Sequence, residues 1–270
     1  MDPLLPDALL PHFPTVDDPY AFAELPEDSL GATWGALRTH SLTWHPHADL
    51  DDQLRHWALT GTDDHETAAV VTVPSRAVTA AEVLVRHGFA PLLVVAARLP
   101  GRGRDGGSTA KIRAMTEADV DVAVELNLET VRFDGRFGMV NARPSTAARL
   151  REHIASLLDR DEPCAWLAEH EGEVVGCLYY DLPGHSDWIA GRTSVRPVAY
   201  IGLLGVREDA RGGGIGAALA DHAHDRLDAA GVGVTLLHHA LPNPLSTPFW
   251  YSHGYRPLWT TWQRRPARRS

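Results

Sequence analysis

The 270-residue chain is poor in cysteine and almost free of lysine, and each shortage excludes a class of site. Its two cysteines, Cys164 and Cys177, form no C-x-x-C pair, which excludes a zinc ribbon or a redox dithiol and suits a reducing compartment. Lys111 is the single lysine among 25 basic residues, so a G-x-x-x-x-G-K-[ST] loop has no lysine to place against phosphate. This preference for arginine suggests a GC-rich bacterial genome.

Long apolar runs are also missing. The first thirty residues lack a basic start and are interrupted by proline, so we expect neither a signal peptide nor a spanning helix, and a cytoplasmic protein. The formal net charge of −10 disfavours nucleic acid as a partner and tolerates a cationic one. His45 and His47 have no further ligands at a metal-site spacing, so no metal is expected.

The composition is that of a globular protein, with 44% hydrophobic and 22% charged residues. A glycine-rich stretch at 101–110 is typical of a linker. Across it, residues 85–100 align without gaps with residues 251–266 at a constant offset of 166, and six of the sixteen positions are identical. The sequence therefore predicts two copies of one α/β unit, at 1–100 and 111–270.

The second half gives clear local signals. Thr116 followed by Asp119 predicts a capping box that opens a helix, and Ser145 opens a second helix. Two apolar segments around residues 171–172 predict an antiparallel hairpin. A further apolar segment predicts a strand at 198–206.

The segment after that strand, REDARGGGIGAALADHAHDRLDAAG, predicts a glycine turn leading directly into an amphipathic helix. Glycines at 212, 213, 214 and 216 remove every Cβ that would block access to the free N–H groups of the first helical turn. This predicts an anion site that needs neither metal nor lysine. The turn comes late in the domain and the next strand carries no acidic residue, which disfavours a dinucleotide site.

These residues resemble the GNAT superfamily of acyl-CoA-dependent N-acyltransferases over residues 111–266. The central [QR]-x-x-G-x-[GA] motif is matched by Arg211, Gly214 and Gly216. The L-x-V before it is matched by Leu204 and Val206, and the features of the last helix by Asn243, Phe249, Trp250, Gly254 and Tyr255.

The resemblance implies a GNAT fold, an α/β fold with a mixed sheet, and acetyl-CoA as the acyl donor. The backbone amides of Gly212, Gly213, Gly214, Ile215, Gly216 and Ala217 would hold the pyrophosphate. Leu204 and Val206 would pair with pantetheine, and the Val206 amide would polarise the thioester carbonyl. We therefore expect an N-acetyltransferase acting on an amine of a small molecule or peptide. The alternatives are transfer of a longer acyl group and a non-catalytic acyl-CoA sensor.

The sequence departs from the family at the catalytic groups: Trp250 stands where many members have a tyrosine that acts as general acid for the leaving thiolate. Tyr251, one residue on, is the candidate acid. For the base we favour His239, with His238, Tyr200 and Asp181 as alternatives; adjacent strand residues point to opposite faces, so only one of the two histidines should face the cleft.

The first half has no [QR]-x-x-G-x-[GA] motif, so we expect a degenerate GNAT-like domain that has lost the CoA site. It would cover the acceptor cleft or form the contact of a homodimer. In the second half, the loop after the first helix carries charged residues of both signs, namely Arg132, Asp134, Arg136 and Arg143. These side chains would either orient a zwitterionic acceptor or be solvated.

Overall fold

The computed structural model describes residues 6–13, 16–60, 62–103, 110–138 and 140–268. Ten strands form one mixed sheet in the order β1-β2-β3-β10-β4-β9-β8-β7-β6-β5. The strands are β1 Tyr20–Glu24, β2 Arg38–Thr43, β3 Thr67–Pro74, β4 Ala90–Arg98, β5 Lys111–Ala114, β6 Ala165–His170, β7 Glu173–Asp181, β8 Val198–Val206, β9 Val234–Ala240 and β10 Arg256–Arg264.

Helices cover the sheet and connect its strands. They are α1 Leu50–His56, α2 Val78–Arg86, α3 Val120–Gly135, α4 Thr146–Leu158, α5 Asp187–Ala190, α6 Ile215–Ala229 and α7 Ser246–Ser252, with short 3₁₀ helices at Pro6–Leu9, Leu30–Trp34, Glu117–Asp119 and Glu208–Ala210. No helix in the described ranges is both long and apolar enough to cross a membrane.

The sheet is antiparallel except at two places, which have the same construction. Strands β2 and β3 are parallel and joined by α1, and β8 and β9 are parallel and joined by α6. A parallel pair needs such a crossover because its strands run the same way. The prediction of an α/β fold with a mixed sheet is confirmed.

The two halves exchange their last strands. β4, which ends the first half, pairs with β9 of the second half. β10, which ends the second half, lies between β3 and β4 of the first. The exchange also joins the cores, because Trp262 of β10 packs with the first-half cluster around Leu84 and Trp57, whereas Val94 of β4 belongs to the second-half core.

The pairing of β4 with β10 is symmetric about one residue pair. Val94 lies opposite Thr260, and these residues are 166 positions apart, the offset of the sequence repeat. The ladder skips Leu92 on one strand and Leu258 on the other, which are again 166 apart. Such bulges are specific local features of a ladder. The aligned segments are therefore equivalent in structure, related by a local two-fold axis.

Local signals of the second half appear where the sequence places them. The Thr116 hydroxyl and the Asp119 carboxylate form a capping box, in which Asp119 accepts the Thr116 backbone N–H at 2.9 Å. The β6–β7 turn has positive φ at Glu171 and Gly172, 51° and 84°. Both predictions are confirmed.

The start of the predicted linker packs against α6 of the second half. The N–H of Gly101 donates to Asp228 Oδ2 at 2.8 Å, and the buried Arg98 makes a two-pronged ion pair with the same carboxylate. Residues 104–109 of the linker lie outside the described residues.

A second polar contact joins the halves at the start of α4, where the buried hydroxyls of Thr33 and Thr146 are hydrogen-bonded at 2.9 Å. The halves are thus joined by polar contacts as well as by the shared sheet.

Candidate functional site

The site begins where two parallel strands separate. β8 and β9 pair only from Val198 opposite Val234 to Ile201 opposite Leu237. Beyond Ile201, β8 continues along β7, while the end of β9 pairs with β4. An irregularity at Gly202 marks the point of separation; a Cβ there would lie 2.6 Å from the ring of Tyr179. The ends of β8 and β9 are therefore separated.

The glycine turn follows β8. Gly212 and Gly214 have φ of 86° and 80°, in the left-handed region that favours glycine. Gly214 is the N-cap of α6, so the N–H groups of Ile215, Gly216 and Ala217 have no acceptor within the helix. Free N–H groups and the positive end of the helix dipole at this point would favour an anion, as expected from the sequence.

Gly216 has a packing role in addition. A Cβ on Gly216 would lie 3.3 Å from the Phe249 ring and 3.6 Å from Val206 Cγ2, so α6 approaches both α7 and β8 closely there. At Gly213, by contrast, a Cβ would meet only a backbone oxygen at 3.8 Å. The glycine positions of the turn are thus not equivalent.

Arg211 fixes the position of this turn. Its guanidinium donates to the Val206 carbonyl at 3.0 Å and to Glu129 Oε1 at 3.0 Å, and it lies over the ring of Phe133 at 5.0 Å. Because Glu129 already pairs with its charge, Arg211 contributes mainly by holding the turn against β8 and α3.

A cavity of about 410 Å³ lies over the turn and the separated end of β8; we call it the glycine-loop cavity. It is of the size that small-molecule sites occupy. Of the predicted cofactor-binding residues, Gly213 does not line it, whereas the following do: Leu204, Val206, Arg211, Gly212, Gly214, Ile215, Gly216, Ala217 and Asn243.

Asn243 links the start of α7 to α3. Its side-chain oxygen accepts the N–H of Leu245 at 2.9 Å and its amide nitrogen donates to Asp134 Oδ1 at 2.7 Å. Burial raises the pKa of Asp134, an effect opposed by the Asn243 hydrogen bond and by Arg211. Asp134 is therefore a carboxylate that binds a proton more readily than an exposed one.

A second cavity of about 510 Å³ adjoins the first; we call it the aromatic cavity. Its walls include Trp34, Tyr179, Trp188 and Tyr200. Five residues line both cavities and so mark their junction: Thr130, Asp134, Leu204, Ser246 and Trp250. The junction lies where β8 leaves β9, and Asp134 is its one carboxylate among the described residues.

Both histidines of β9 line the aromatic cavity, and their rings contact different groups: His238 contacts Tyr200, whereas His239 contacts Tyr251 of α7. His238 Nδ1 lies 3.0 Å from the Tyr200 hydroxyl. Burial, followed by Arg192 and His239, lowers the pKa of His238 to about 4, so this ring is neutral at pH 7.

His239 and Tyr251, the pair predicted as base and acid, contact each other edge to face with ring centroids 5.7 Å apart. Burial lowers the pKa of His239 and raises that of Tyr251. His239 is buried, and its Nε2 has no hydrogen-bond partner in the part of the chain that the structure describes. Tyr251 lines neither cavity. Their catalytic roles stay predictions.

Trp250 occupies the junction in place of the tyrosine that the family motif carries. It is 6% exposed and packs edge to face against Phe249 and Tyr255, with centroids 4.9 and 5.2 Å away. The indole thus has a fixed position at the point where the two cavities meet.

Two features of the site go beyond the motif. The first is the contribution of the first half, which supplies Leu30, Trp34 and Leu93 to the aromatic cavity. The expectation that the first half covers the acceptor cleft named no residues, because no motif in that half indicates them. The second is Asp134: it lies in the last turn of α3 rather than in a loop, and α3 packs on β8.

The loop arginines do not enter the cavity. Arg143 lies between the halves, where it donates to the Ala32 carbonyl at 2.7 Å and pairs with Glu66 at 2.8 Å. Arg136 lies over the ring of Phe133 at 5.5 Å, and Arg132 is exposed. Among the described residues, the lining of the aromatic cavity contains no arginine or lysine, so this loop supplies no cation there that could orient a zwitterion.

Comparisons with known proteins agree with this geometry. Residues 131–255 match the family model described as the acetyltransferase (GNAT) family. A GCN5-related N-acetyltransferase from Sphaerobacter thermophilus has a similar structure, with a TM-score of 0.59 and 18% identity over 85% of this chain and 74% of that one. Residues 131–255 are therefore a GNAT acetyltransferase domain, and the predicted resemblance is confirmed.

Other solved structures share the fold over most of the chain. A functionally unknown conserved protein from Staphylococcus epidermidis has a TM-score of 0.52 and 16% identity, covering 93% of this chain and 92% of its own. A glucosamine N-acetyltransferase region of a fungal multi-domain β-N-acetylglucosaminidase has a TM-score of 0.53 and 14% identity, covering 84% of this chain and 30% of that one. No curated protein sequence matches. At these identities the likeness establishes the fold, and matches that extend beyond the second half agree with a tandem arrangement.

Proposed function

We propose that the protein is an acetyl-CoA-dependent N-acetyltransferase that acetylates a primary amine. The observation that carries the proposal is the pair of cavities that meet where β8 and β9 separate. One cavity contains an anion site, and the other is a separate space large enough for a small acceptor. Two substrates can therefore approach one another from opposite ends, as a transfer reaction requires.

The residues present suit coenzyme A. The free N–H groups at the start of α6 suit a pyrophosphate, since no Cβ blocks access at Gly212, Gly214 and Gly216. The edge of β8 at Leu204 and Val206 has no partner strand and suits the amide groups of pantetheine, with the Val206 carbonyl already bonded to Arg211. When bound, acetyl-CoA would supply the acetyl thioester.

Trp250 favours a short acyl group. Its buried indole borders both cavities, as Leu204 does, and so lies where an acyl chain longer than acetyl would have to pass. A longer acyl chain would have to extend into the aromatic cavity and would compete with the acceptor for that space. Acetyl therefore fits the arrangement better than a long acyl chain.

Asp134 is our candidate for the group that takes the proton of the incoming ammonium. It lies at the junction, and its raised pKa gives it more basic strength than an exposed carboxylate. In the balanced reaction a C–N bond forms and a C–S bond breaks. The nitrogen loses two protons: the ammonium gives one to Asp134 before the attack, and the second, lost as the amide forms, balances the proton that the sulfur of the released thiol gains.

The experiment is thiol release from acetyl-CoA on a panel of primary amines, with CoA binding measured by calorimetry. We expect turnover, and a fall in kcat of about 10²- to 10⁴-fold in Asp134→Asn, with loss of the acidic limb of the kcat/KM profile. Asp181→Asn tests the other carboxylate named as an alternative base; because Asp181 pairs with Arg160 and lines the aromatic cavity away from the junction, we expect a much smaller fall in kcat. CoA binding without turnover across the panel would instead support an acyl-CoA sensor.

The pair predicted from the sequence is tested in the same assay. If Tyr251 protonates the leaving thiolate, Tyr251→Phe lowers kcat by about 10²- to 10⁴-fold with little change in CoA affinity. If His239 is the base, His239→Gln removes the acidic limb that we assign to Asp134. Wild-type turnover in both variants would leave them as packing residues of β9 and α7.

A further inference from the structure

The aromatic cavity contains the molecule's two exposed tryptophans. Of eight tryptophans in the chain, Trp34 and Trp188 are 42% and 62% exposed, and the others are buried or partly buried. Both exposed indoles line this cavity. Exposed apolar surface that is concentrated in one concave place marks a binding site for an apolar group.

The two indoles come from different halves and border the same space. Trp34 ends the 3₁₀ helix Leu30–Trp34 of the first half, whereas Trp188 lies on α5 of the second. Trp188 packs edge to face against Tyr200 at 4.8 Å and lies nearly parallel to the ring of His238, 11° apart at 6.3 Å. Planar apolar groups thus form a large part of the cavity wall.

The charges of the cavity are of one sign. Its lining includes Asp134 and Asp181 and contains no arginine or lysine among the described residues. Asp181 pairs with Arg160 at 2.8 Å, outside the lining, and Asp134 bonds only to a neutral amide, that of Asn243. An ammonium group therefore finds a carboxylate at the junction, but a carboxylate on the substrate would find no cation.

Three hydroxyl groups of the wall already have partners within the protein. The Tyr179 hydroxyl donates to Asn127 Oδ1 at 3.1 Å, and the Tyr200 hydroxyl lies 3.0 Å from His238 Nδ1. The Thr130 hydroxyl donates to a backbone carbonyl of its own helix at 3.0 Å. An acceptor with many hydroxyl groups would leave most of them without partners, at a cost for each one.

We infer that the acceptor is a primary amine carried on an apolar, aromatic body without an anionic group. The hydrocarbon body lies between Trp34 and Trp188, and the amine reaches the junction at Asp134. This inference rests on the proposed function, and it selects an arylalkylamine over an amino acid or an amino sugar.

The experiment compares four acceptors with the full-length protein: 2-phenylethylamine, phenylalanine, phenylalanine methyl ester and glucosamine. The first two differ only by a carboxylate. We expect kcat/KM for 2-phenylethylamine to exceed that for phenylalanine by about 100-fold or more, because the carboxylate has no partner in the cavity. The methyl ester removes that charge and should recover most of the loss. Glucosamine should be the poorest acceptor.

Variants separate the inference from the proposed function. Trp188→Ala should raise KM for 2-phenylethylamine by about tenfold without changing KM for acetyl-CoA. Phe22→Ala, which removes an aromatic ring of similar exposure on β1, is the control and should change neither. Equal or better use of phenylalanine or glucosamine would overturn the inference and leave the acetyltransferase intact. CoA binding with no turnover of any of the four would count against the proposed function itself.

Discussion

The anion site can be tested by adding one negative charge to the glycine turn. Gly212 lines the glycine-loop cavity, and a Cβ built on it meets no atom within 4 Å, so a short side chain fits there. Its φ of 86° is unfavourable for most residues, but aspartate and asparagine adopt this region more readily than others. Gly212→Asp and Gly212→Asn therefore carry a similar backbone cost, of about 1 to 2 kcal/mol.

The difference between the two variants isolates the charge. A carboxylate about 6 Å from one unit charge of a pyrophosphate is repelled by roughly 3 kcal/mol at an effective dielectric constant of about 20. The cavity is open to solvent, and screening reduces this value by up to about half. We expect Gly212→Asp to bind CoA about 10- to 100-fold more weakly than Gly212→Asn.

Isothermal calorimetry at low and high salt provides the measurement. The gap between the variants should narrow as salt rises, because exposed charges are screened. Thermal melting checks that both variants are folded to a similar extent. Equal Kd values for CoA in two folded variants would refute the placement of the pyrophosphate at this turn.

Two further predictions concern stability. Gly233→Ala should lower the free energy of unfolding by about 2 to 4 kcal/mol in urea titrations, because its Cβ would lie 2.4 Å from the Arg196 carbonyl oxygen; Gly213→Ala is the control and should cost less than about 1 kcal/mol. Burial lowers the pKa of His224 to about 3. The stability that depends on the neutral ring is therefore fully present above about pH 6.5 and is lost on acidification toward pH 3. Between pH 6.5 and 5, His224→Gln should reduce the slope of unfolding free energy against pH by up to about 1.4 kcal/mol per unit, and an unchanged slope would contradict the buried neutral ring.

Local features of the site could be predicted because neighbouring residues determine them. The capping box at Thr116, the hairpin turn and the glycine turn before α6 each depend on a few consecutive residues. The same is true of the family motif, whose residues lie together around one cavity. Here the spacing of residue types is sufficient to predict the structure.

The strand exchange could not be predicted in this way. The repeat relates residues 85–100 to residues 251–266, but a repeat specifies equivalence, not pairing. An alternating apolar pattern predicts a strand but does not specify which strands pair with it. The partners of β10 are more than 150 residues distant in the sequence, so no local pattern indicates them. For the same reason the sequence did not place Trp34 beside the second half's site.

Because β10 lies between β3 and β4, the order of synthesis limits when the first half can finish folding. As the chain leaves the ribosome, the residues of β3 and β4 emerge early, but the strand that joins them is made more than 150 residues later. Until then β3 has an open edge, which is a site for wrong pairing. β9 can pair with β4 as soon as β9 emerges, so the second half acquires the strand contributed by the first half before the first half acquires β10. The order of synthesis thus favours completion of the glycine-loop side of the sheet before the half that precedes it in sequence.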